Sequence, residues 1–422
     1  MMISQKKHDI VADNNNIIIH RMDHPKCVSH FIFLLKKGIQ AGYKDFTVIW
    51  AGTDHDAIYP NACVPVCGII DYYTKFNNIS FNLNISIDSY LKKCFFDNPI
   101  DKSANPKELE YQPFDKIYKY NEYNQVATIT QSYINYLSKQ DECHVGVIDG
   151  LIWCINEVMD NVLVHSNTNQ GYVMAQYHST TKHIAICVYD YGIGIYNSLS
   201  KSPHSPHSPI DAISLAIQEG VGDGQGQGNG LYGLSKIVQE NNGSLNITSG
   251  SASLMLLSNK NIRKFDRIPY LSNTNNGTTV DFQLNISKSI DIQKAFDTIG
   301  GFDGFDIRID DMLQDDDKLL YNVYNNCAGT ATRQAGKELR NDVCNLLQRS
   351  NTSIILDFSQ IETVSSSFID EFISKLILQF GMINFNRFFL IRNMNDTIRF
   401  LCDRSTYMRI YEDWKTLLES KK

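Results

Sequence analysis

The segment from Gly222 to Leu234 reads GDGQGQGNGLYGL and runs directly into SKIVQEN, which has the composition of a helix. Glycine at this density costs backbone entropy on folding, so it persists where φ must be positive or where a ligand contacts the main chain. Backbone N–H groups in a glycine-rich turn at a helix N-terminus attract anions such as phosphates. The segment therefore predicts a phosphate-binding turn that opens a helix.

The composition indicates a soluble protein with several domains. A chain of 422 residues is longer than one hydrophobic core usually serves, so two or three domains are expected. No apolar run of roughly 18 residues occurs, and the start lacks an apolar signal segment. The 10 cysteines are scattered, which favours the cytoplasm. A net charge of −7 with mixed signs gives no basic stripe, so the charge does not indicate a nucleic-acid partner, and the lack of a long apolar run indicates no membrane.

The hydrophobic patterns divide the chain into three parts. Residues 1–124 alternate strand-like and helix-like segments, as in an α/β domain, and the polar stretch 98–113 is typical of a linker or a surface excursion. Residues 125–287 place strand runs in direct succession between helices, which favours antiparallel pairing on a helix layer. Residues 288–422 again alternate. We therefore predict an α/β multidomain protein with a mixed, mainly antiparallel central sheet.

The helix-like segment GLIWCINEVMDNVLVHSN carries two separate stripes. Its polar row repeats every four residues at Glu157, Asn161 and His165. A second stripe is apolar and consists of Ile152, Ile155, Met159 and Val162. At about 100° per residue the two stripes face different directions, so one side packs and the other can line a pocket. Taken alone, the polar row is more typical of a solvated helix face.

The strand-like run HIAICVYD ends at Asp190 and is followed by Gly192 and Gly194. A carboxylate held at a strand end can accept a hydrogen bond from an exocyclic amine such as N6 of adenine. An ordinary Asp-Gly turn is the alternative interpretation.

The glycines of the opening segment also match G-x-G-x-x-G, which occurs in dinucleotide-binding folds and protein kinases. The dinucleotide motif requires a preceding strand, whereas DAISLAIQEGVGDG reads as a helix and a loop. The kinase set requires HRD and DFG, and the sequence contains neither. Both alternatives are therefore poor.

The order of four boxes is more specific than any one of them. Glu-x-x-Asp-Asn on a helix, Asp-x-Gly-x-Gly after a strand, Gly-x-Gly-Leu-x-Gly-Leu opening a helix, and Gly277-Thr278-Thr279 entering a strand follow one another. In this the sequence resembles the GHKL superfamily, the ATP-binding fold of gyrase, the ninety-kilodalton heat-shock chaperone, histidine kinases and MutL. The resemblance implies a central GHKL (Bergerat) α/β sandwich over residues 125–287.

The resemblance also implies roles for individual residues. Asn161 would hold Mg²⁺, and Glu157 would act as the general base or orient the attacking water. Asp190 would bind adenine, supported through water by Thr278 or Thr279. The other expected nucleotide contacts are His165, Gly192, Gly194, Gly228, Gly230, Leu231 and Gly233.

Residues 195–223 would form a lid over ATP. The lid contains His204 and His207, and the N-terminal part contains Cys63 and Cys67. Neither pair has a third or fourth ligand nearby in the sequence, so a stiff lid and buried free cysteines are preferred to metal sites.

The C-terminal segments TRQAGKELR, SIILDFSQIETVSSSFIDEFISKL and RFFLIRN resemble the STAS-like family, related to antagonists of anti-sigma factors. That resemblance implies a phosphorylatable serine near Ser366, with Ser365 and Ser367 adjacent. The sequence has VSSSF in place of Asp-Ser-Ser-Gly, so helix capping is the alternative role. Residues 46–73 repeat the order of strand, loop and apolar helix found in 353–376, which leaves a STAS-like N-terminal domain open.

Three functions are compatible with these resemblances. The first is a Mg²⁺-dependent ATPase switch whose nucleotide state controls a protein partner. The second is a serine kinase of the anti-sigma type that acts on a STAS-type domain. The third is a nucleotide-dependent scaffold without turnover, which Glu157 disfavours because binding alone needs no base. A homodimer is compatible with each.

Overall fold

The computed structural model describes residues 9–52, 58–101, 112–168, 170–223, 229–271, 277–296, 307–327 and 329–419. Contacts divide the chain into two compact units, Met1–Tyr133 with Gly150–Phe302, and Ile134–Asp149 with Asp303–Lys422. Among the helices described, none combines the length and the apolar character needed to cross a membrane.

The first unit begins with a four-stranded sheet in the order β1-β2-β3-β4. Its strands are β1 (Ile10–Asp13), β2 (Asn16–Ile19), β3 (Asp45–Trp50) and β4 (Ser80–Asn84), and its crossover helices are α1 (Lys26–Gln40) and α2 (Pro60–Phe76). The β1–β2 pair is antiparallel, and β2, β3 and β4 run parallel. The predicted alternation of strands and helices is therefore present.

A second sheet of eight strands has the order β11-β10-β9-β12-β8-β7-β6-β5. The strands are β5 (Ile100–Asp101), β6 (Tyr118–Tyr120), β7 (Gly171–His178), β8 (His183–Asp190), β9 (Ser244–Ser249), β10 (Ala252–Leu256), β11 (Ile262–Phe265) and β12 (Thr278–Asn285). β5 and β6 pair in parallel, and the other neighbours are antiparallel. The prediction of a mixed, mainly antiparallel sheet is confirmed.

The sheet contains three strands that the sequence analysis missed. β5 lies inside the stretch 98–113, so Ile100 and Asp101 belong to the sheet and not to a linker, because they pair with β6. The prediction of a linker or surface excursion otherwise falls mostly on residues 102–111, which lie outside the described residues. β6 also precedes residue 125, where the central domain was predicted to begin. Every residue of β11 is exposed, so this strand lacks the apolar alternation by which strands are recognised.

The helices of the first unit connect and cover this sheet. They are α3 (Tyr90–Lys93), α4 (Tyr123–Gln140), α5 (Val147–His165), α6 (Gly194–Leu199), α7 (Pro209–Ala216), α8 (Gly230–Glu240) and α9 (Ile292–Phe296), of which α4 and α5 extend into the residues of the second unit. On α5 the apolar stripe is buried at Ile155, Met159 and Val162, whereas Ile152 is partly exposed. The opposite row is half-buried, as the 3.6-residue period requires.

Helix α2 packs on one face of the eight-stranded sheet and shares a hydrophobic core with it. The Cys63 thiol lies 3.5 Å from the Met174 sulfur, and the Gly68 backbone lies against the Tyr189 ring. Side chains alternate between faces along a strand, so Asp190 points to the face opposite Tyr189. The sheet is thus covered by α2 on one face and carries Asp190 on the other.

The buried carboxyl of Asp281 gives a stability prediction. Asn61 Nδ2 donates to Asp281 Oδ2 over 3.1 Å, and burial raises the pKa of Asp281 to about 6. The folded state therefore favours the protonated carboxyl of Asp281. Protonation of this carboxyl stabilises the fold fully below the unfolded pKa near 4, and the stabilisation is lost as pH rises through the folded pKa of about 6. Asn61 Oδ1 is buried and has no hydrogen-bond partner among the described residues, and an amide at position 281 would supply the missing donor.

We expect Asp281→Asn to raise the free energy of unfolding by about 2 kcal/mol at pH 8 and to change it little at pH 4. Urea unfolding at the two pH values measures the difference. A variant less stable than the parent at pH 8 would contradict the assignment of this carboxyl as a destabilising anion.

The second unit contains a three-stranded parallel sheet in the order β13-β14-β15. Its strands are β13 (Leu319–Asn322), β14 (Ile354–Asp357) and β15 (Phe389–Arg392). Its helices are α10 (Ile307–Met312), α11 (Val323–Asn326), α12 (Arg333–Ser350), α13 (Ser366–Ile369), a π-helical segment Asp370–Ser374, α14 (Lys375–Phe388) and α15 (Asp396–Glu419). The order from β13 to β15 matches that from β2 to β4, with helices between successive parallel strands.

Two polar networks stabilise the second unit. Asn345 accepts a hydrogen bond from the Cys143 backbone N–H and donates to the carbonyls of Ser138 and Asp141, which secures the segment Ile134–Asp149 to α12. The buried carboxylate of Glu371 pairs with Arg333, Arg340 and Lys375. These cations, with the charge-assisted hydrogen bonds they donate, hold the pKa of Glu371 below its usual value against the effect of burial.

Candidate functional site

Glu157 and Asn161 of α5 lie beside the first residue of α8. A Cβ placed on Gly230 would come within 2.4 Å of Glu157 Oε2 and 3.3 Å of Asn161 Nδ2. One turn further along, a Cβ on Gly233 would come within 2.2 Å of the Trp153 ring. The two glycines therefore allow α8 to approach α5 so closely that its N-terminus meets the polar row.

The N-terminus of α8 has no side-chain cap from Asn229. Asn229 occupies the N-cap position, and its side chain makes no capping hydrogen bond to the helix. The first N–H groups of an α-helix have no partner within the helix, and the partial positive charge of the helix dipole is concentrated there. This end of α8, next to Glu157 and Asn161, is suited to an anion.

Burial raises the pKa of Glu157, and the charge of Asp160 adds to the effect. Burial also raises the pKa of Asp160, to about 6. Asp160 Oδ1 is buried and has no hydrogen-bond partner among the described residues. Two neighbouring carboxyls on α5 thus have a raised affinity for a proton, which is a property of groups that exchange protons during a reaction.

Asp190 occupies the end of β8, between β7 and β12. It is paired in register with Gly171 on one side and Thr278 on the other. The backbone N–H of Gly192 donates to Asp190 Oδ1 over 2.7 Å. Burial raises the pKa of Asp190 to about 7, although the backbone hydrogen bonds from Gly192 and Thr278 favour the charged form.

The chain after Asp190 passes close to the end of α5. A Cβ on Gly192 would come within 2.2 Å of the Ser166 carbonyl oxygen, and the N–H of Ile193 donates to that oxygen over 3.0 Å. Gly194 has a φ of 75°, in the left-handed region that favours glycine. This contact places the turn after β8 against the last turn of the helix that carries Glu157 and Asn161.

Tyr120 of β6 lies between α5 and Asp190, and the sequence analysis missed it. Its hydroxyl donates to the Met159 carbonyl over 3.2 Å. Burial raises the pKa of Tyr120 far above its usual value, and the charges of Asp190 and Asp160 act in the same direction. The ring occupies the position that a side chain at Gly171 would fill. Nothing in the short run YKY marks this residue, because its role depends on strand pairing.

The two candidate threonines fall on different faces of the sheet. Thr278 pairs with Asp190 and Thr279 pairs with Tyr189, so Thr278 shares the face of Asp190. The Thr278 hydroxyl lies 3.1 Å from the Ser249 hydroxyl, which also accepts a hydrogen bond from the Ile195 N–H. Of the two threonines, Thr278 is therefore the one near the candidate site.

His165, at the end of α5, is linked to the predicted lid. Its Nδ1 lies 2.8 Å from Asp223 Oδ2, and the Ser198 hydroxyl donates to the same oxygen over 2.7 Å. Leu231 of α8 packs against a small lid core made by Leu199, Ala212 and Ala216. The lid segment thus contains α6 and α7 and contacts both helices of the site. Gly228 falls outside the described residues.

The serines of the second unit differ in their environment. Ser365 is the N-cap of α13, and its hydroxyl accepts a hydrogen bond from the Phe368 N–H over 3.0 Å. The Ser367 hydroxyl lies 3.0 Å from that of Ser365, whereas Ser366 is exposed. Capping therefore accounts for Ser365, and Ser366 is the most accessible of the three.

Comparisons with known proteins bear mainly on the C-terminal part. A solved chain described as a mycobacterial sensor histidine kinase, MprB, aligns with 41% of this chain and 98% of its own length, at 18% identity. The TM-score of this alignment is 0.23. No curated protein matches the chain. The family model of the STAS-like domain of unknown function DUF4325 matches residues 335–399, so the chain carries a STAS-like domain in its C-terminal part.

Proposed function

We propose that the first unit binds ATP with Mg²⁺ in the manner of a GHKL module and hydrolyses it, as a switch that controls a protein partner. The observation that carries the proposal is the approach of Gly230 to the side chains of Glu157 and Asn161. It joins an uncapped helix N-terminus, a carboxylate and an amide in one place, although their boxes are about 70 residues apart in sequence.

The residues around α8 fit the phosphates of a nucleoside triphosphate. A side chain at Gly230 would fill the space beside Glu157, so the bare main chain leaves room for phosphate oxygens. Backbone N–H groups at the start of α8 would donate to those oxygens. The amide oxygen of Asn161 would hold Mg²⁺ together with phosphate and water, since this ion takes few protein ligands. When bound, Mg²⁺ would neutralise the charge of the phosphates.

The base would bind at the other end of the site. The carboxylate of Asp190 would accept a hydrogen bond from the exocyclic amine of adenine, and Thr278 on the same face would support the ring through water. The hydrogen bond from the Gly192 N–H fixes the orientation of this carboxyl before the nucleotide arrives. Guanine carries a carbonyl oxygen at the equivalent position, which this carboxylate would repel, so the site would select adenine.

Hydrolysis would use Glu157 as the general base. Water attacks the γ-phosphorus, the bond from that phosphorus to the β,γ-bridging oxygen breaks, and the carboxylate of Glu157 takes the proton of the water. The raised pKa of Glu157 brings its proton affinity closer to neutrality, which is where a general base is effective.

The lid would report the nucleotide state. The His165 ring contacts the carboxylate of Asp223. Phosphate oxygens would compete with Asp223 for the imidazole, so binding of ATP would release Asp223 and the adjoining lid segment. The proposed partner would distinguish the two lid positions.

A serine kinase is the second candidate, because the STAS-like domain exposes Ser366 at the start of a helix. Incubation of the full chain with γ-labelled ATP and Mg²⁺ separates the candidates. We expect free labelled phosphate and no stable label on the protein. Label that maps to Ser366 and disappears in Ser366→Ala would establish the kinase instead. Bound ATP with neither product would leave a scaffold.

A further inference from the structure

A cluster of metal-ligating side chains lies in the N-terminal sheet, in a part of the molecule that the proposed ATP site does not use. Asp9, His24 and Cys27 each offer one ligand atom, and these atoms lie within 4.8 Å of one another. The carboxylate of Asp23 is adjacent to them, because its Oδ1 lies 3.7 Å from His24 Nε2. The cluster combines the residue just before β1, the loop after β2 and the first turn of α1.

The distances from His24 Nε2 to its neighbours lie near those between the ligands of a tetrahedral metal site. His24 Nε2 lies 3.1 Å from Asp9 Oδ2 and 3.9 Å from Cys27 Sγ. In a tetrahedral zinc site, metal–ligand distances of about 2.0–2.3 Å place neighbouring ligand atoms roughly 3.3–3.8 Å apart. The distances from His24 Nε2 to Asp9, Asp23 and Cys27 lie close to this range, so a metal bound by Asp9, His24 and Cys27 would have the Asp23 carboxylate beside it as a fourth ligand.

One ligand atom of the cluster is buried without a partner. Asp23 Oδ1 has no hydrogen bond among the described residues, although the side chain of Asp23 is only 14% exposed. The other oxygen of this carboxylate pairs with Arg21, which fixes the orientation of the group. A buried carboxylate oxygen without a donor is costly, and a cation at the centre of the cluster would remove that cost.

The remaining ligands are held in place by the backbone. The carbonyl of Asp9 accepts hydrogen bonds from the N–H groups of His20 and Arg21, which keeps the start of β1 beside the loop. The Cys27 N–H donates to the His24 carbonyl over 3.1 Å, so these two side chains keep a fixed spacing. The cluster is therefore built from ordered backbone and does not depend on flexible side chains alone.

We propose that Asp9, Asp23, His24 and Cys27 form a site for a divalent transition metal, with zinc as the best match. One thiolate, one imidazole and two carboxylates form a borderline-soft donor set that suits Zn²⁺ and excludes Mg²⁺, which takes oxygen ligands in an octahedron. Without metal, the Cys27 thiol donates its proton in a hydrogen bond to the Arg21 carbonyl. On metal binding the thiol loses this proton to solvent, and the thiolate sulfur bonds to the metal. The metal would fasten Asp9 and β1 to the start of α1.

The test uses Co²⁺ as a spectroscopic substitute for zinc in the full chain. After removal of metal with a chelator, titration with Co²⁺ is expected to give one equivalent of a species with a thiolate-to-cobalt charge-transfer band and the strong visible bands of tetrahedral cobalt. Added Zn²⁺ should displace it. Cys27→Ser should abolish the charge-transfer band. His24→Ala should weaken the binding of cobalt by about 100-fold or more without abolishing it.

Two control variants distinguish this cluster from other ligands. Cys327→Ser removes a partly buried thiol of the second unit, and a double replacement of His204 and His207 removes the lid histidines. Both should bind cobalt as the parent does. Absence of a stoichiometric cobalt–thiolate species would overturn the proposal, and so would an unchanged spectrum in Cys27→Ser. Because His24 is partly exposed, His24→Ala tests the site even where loss of the buried thiol impairs folding.

Discussion

Asp190→Ala is expected to weaken ATP binding by at least about 100-fold. The substitution removes the acceptor for the adenine amine and leaves the donating N–H of Gly192 without its partner at the same place. Isothermal titration calorimetry with a non-hydrolysable ATP analogue and Mg²⁺ measures the loss. Unchanged affinity would refute the assignment of Asp190 as the adenine ligand.

The affinity for ATP should also depend on pH through Asp190. The pKa of this carboxyl is raised to about 7 in the free protein, whereas the complex requires the carboxylate. Below pH 7 the free protein carries a proton that binding must release, so affinity falls by up to about tenfold per pH unit as pH decreases. Above about pH 8 the affinity should be constant. Asp190→Asn should bind weakly and lack this dependence.

Asp281→Asn is the matched control for both measurements. Asp281 is a buried aspartate on the neighbouring strand β12, and its carboxyl binds Asn61 of α2 on the other face of the sheet. The Asp281→Asn variant should therefore bind ATP like the parent chain at each pH. A similar loss in this variant would mean that the effect at Asp190 came from damage to the sheet.

Glu157→Gln is expected to reduce the turnover of ATP by about 10² to 10⁴-fold and to leave the affinity for ATP within a few-fold of the parent. Glutamine keeps the size of the side chain beside Gly230 but cannot take a proton from water. Release of inorganic phosphate under saturating ATP measures turnover, and calorimetry measures binding.

Glu240→Gln gives the control for turnover, because it removes a partly buried carboxylate at the other end of α8 that pairs with Lys294. It should hydrolyse ATP at the parental rate. If Glu157→Gln retained full turnover, another group would have to be the base, and Asp160, one helical turn along α5, would be the next to substitute.

The sequence predicted the features that depend on local pattern. The order of strands and helices followed from apolar periodicity, and the helix after the glycine-rich segment begins at Gly230. The two stripes of α5 also followed, because a helix of fixed period separates its faces. The STAS-like C-terminal domain was indicated by its own segments and is confirmed by the family match.

Features that depend on tertiary pairing could not be predicted. Tyr120 comes between Asp190 and α5 only because β6 pairs with β7. The contact of His165 with Asp223 joins residues far apart in sequence that lack a joint signature. β5 has two residues, too few for an alternation to be recognised.

The shared core beneath the eight-stranded sheet limits how this protein can have evolved. Because α2 belongs both to the N-terminal sheet and to the underside of β7 and β8, excising either part would expose a broad apolar surface to water. Gene fusion could therefore transfer the N-terminal sheet and the eight-stranded sheet only together. A fragment starting at residue 125 would lack α2, β5 and β6, and we expect it to aggregate on release from the ribosome.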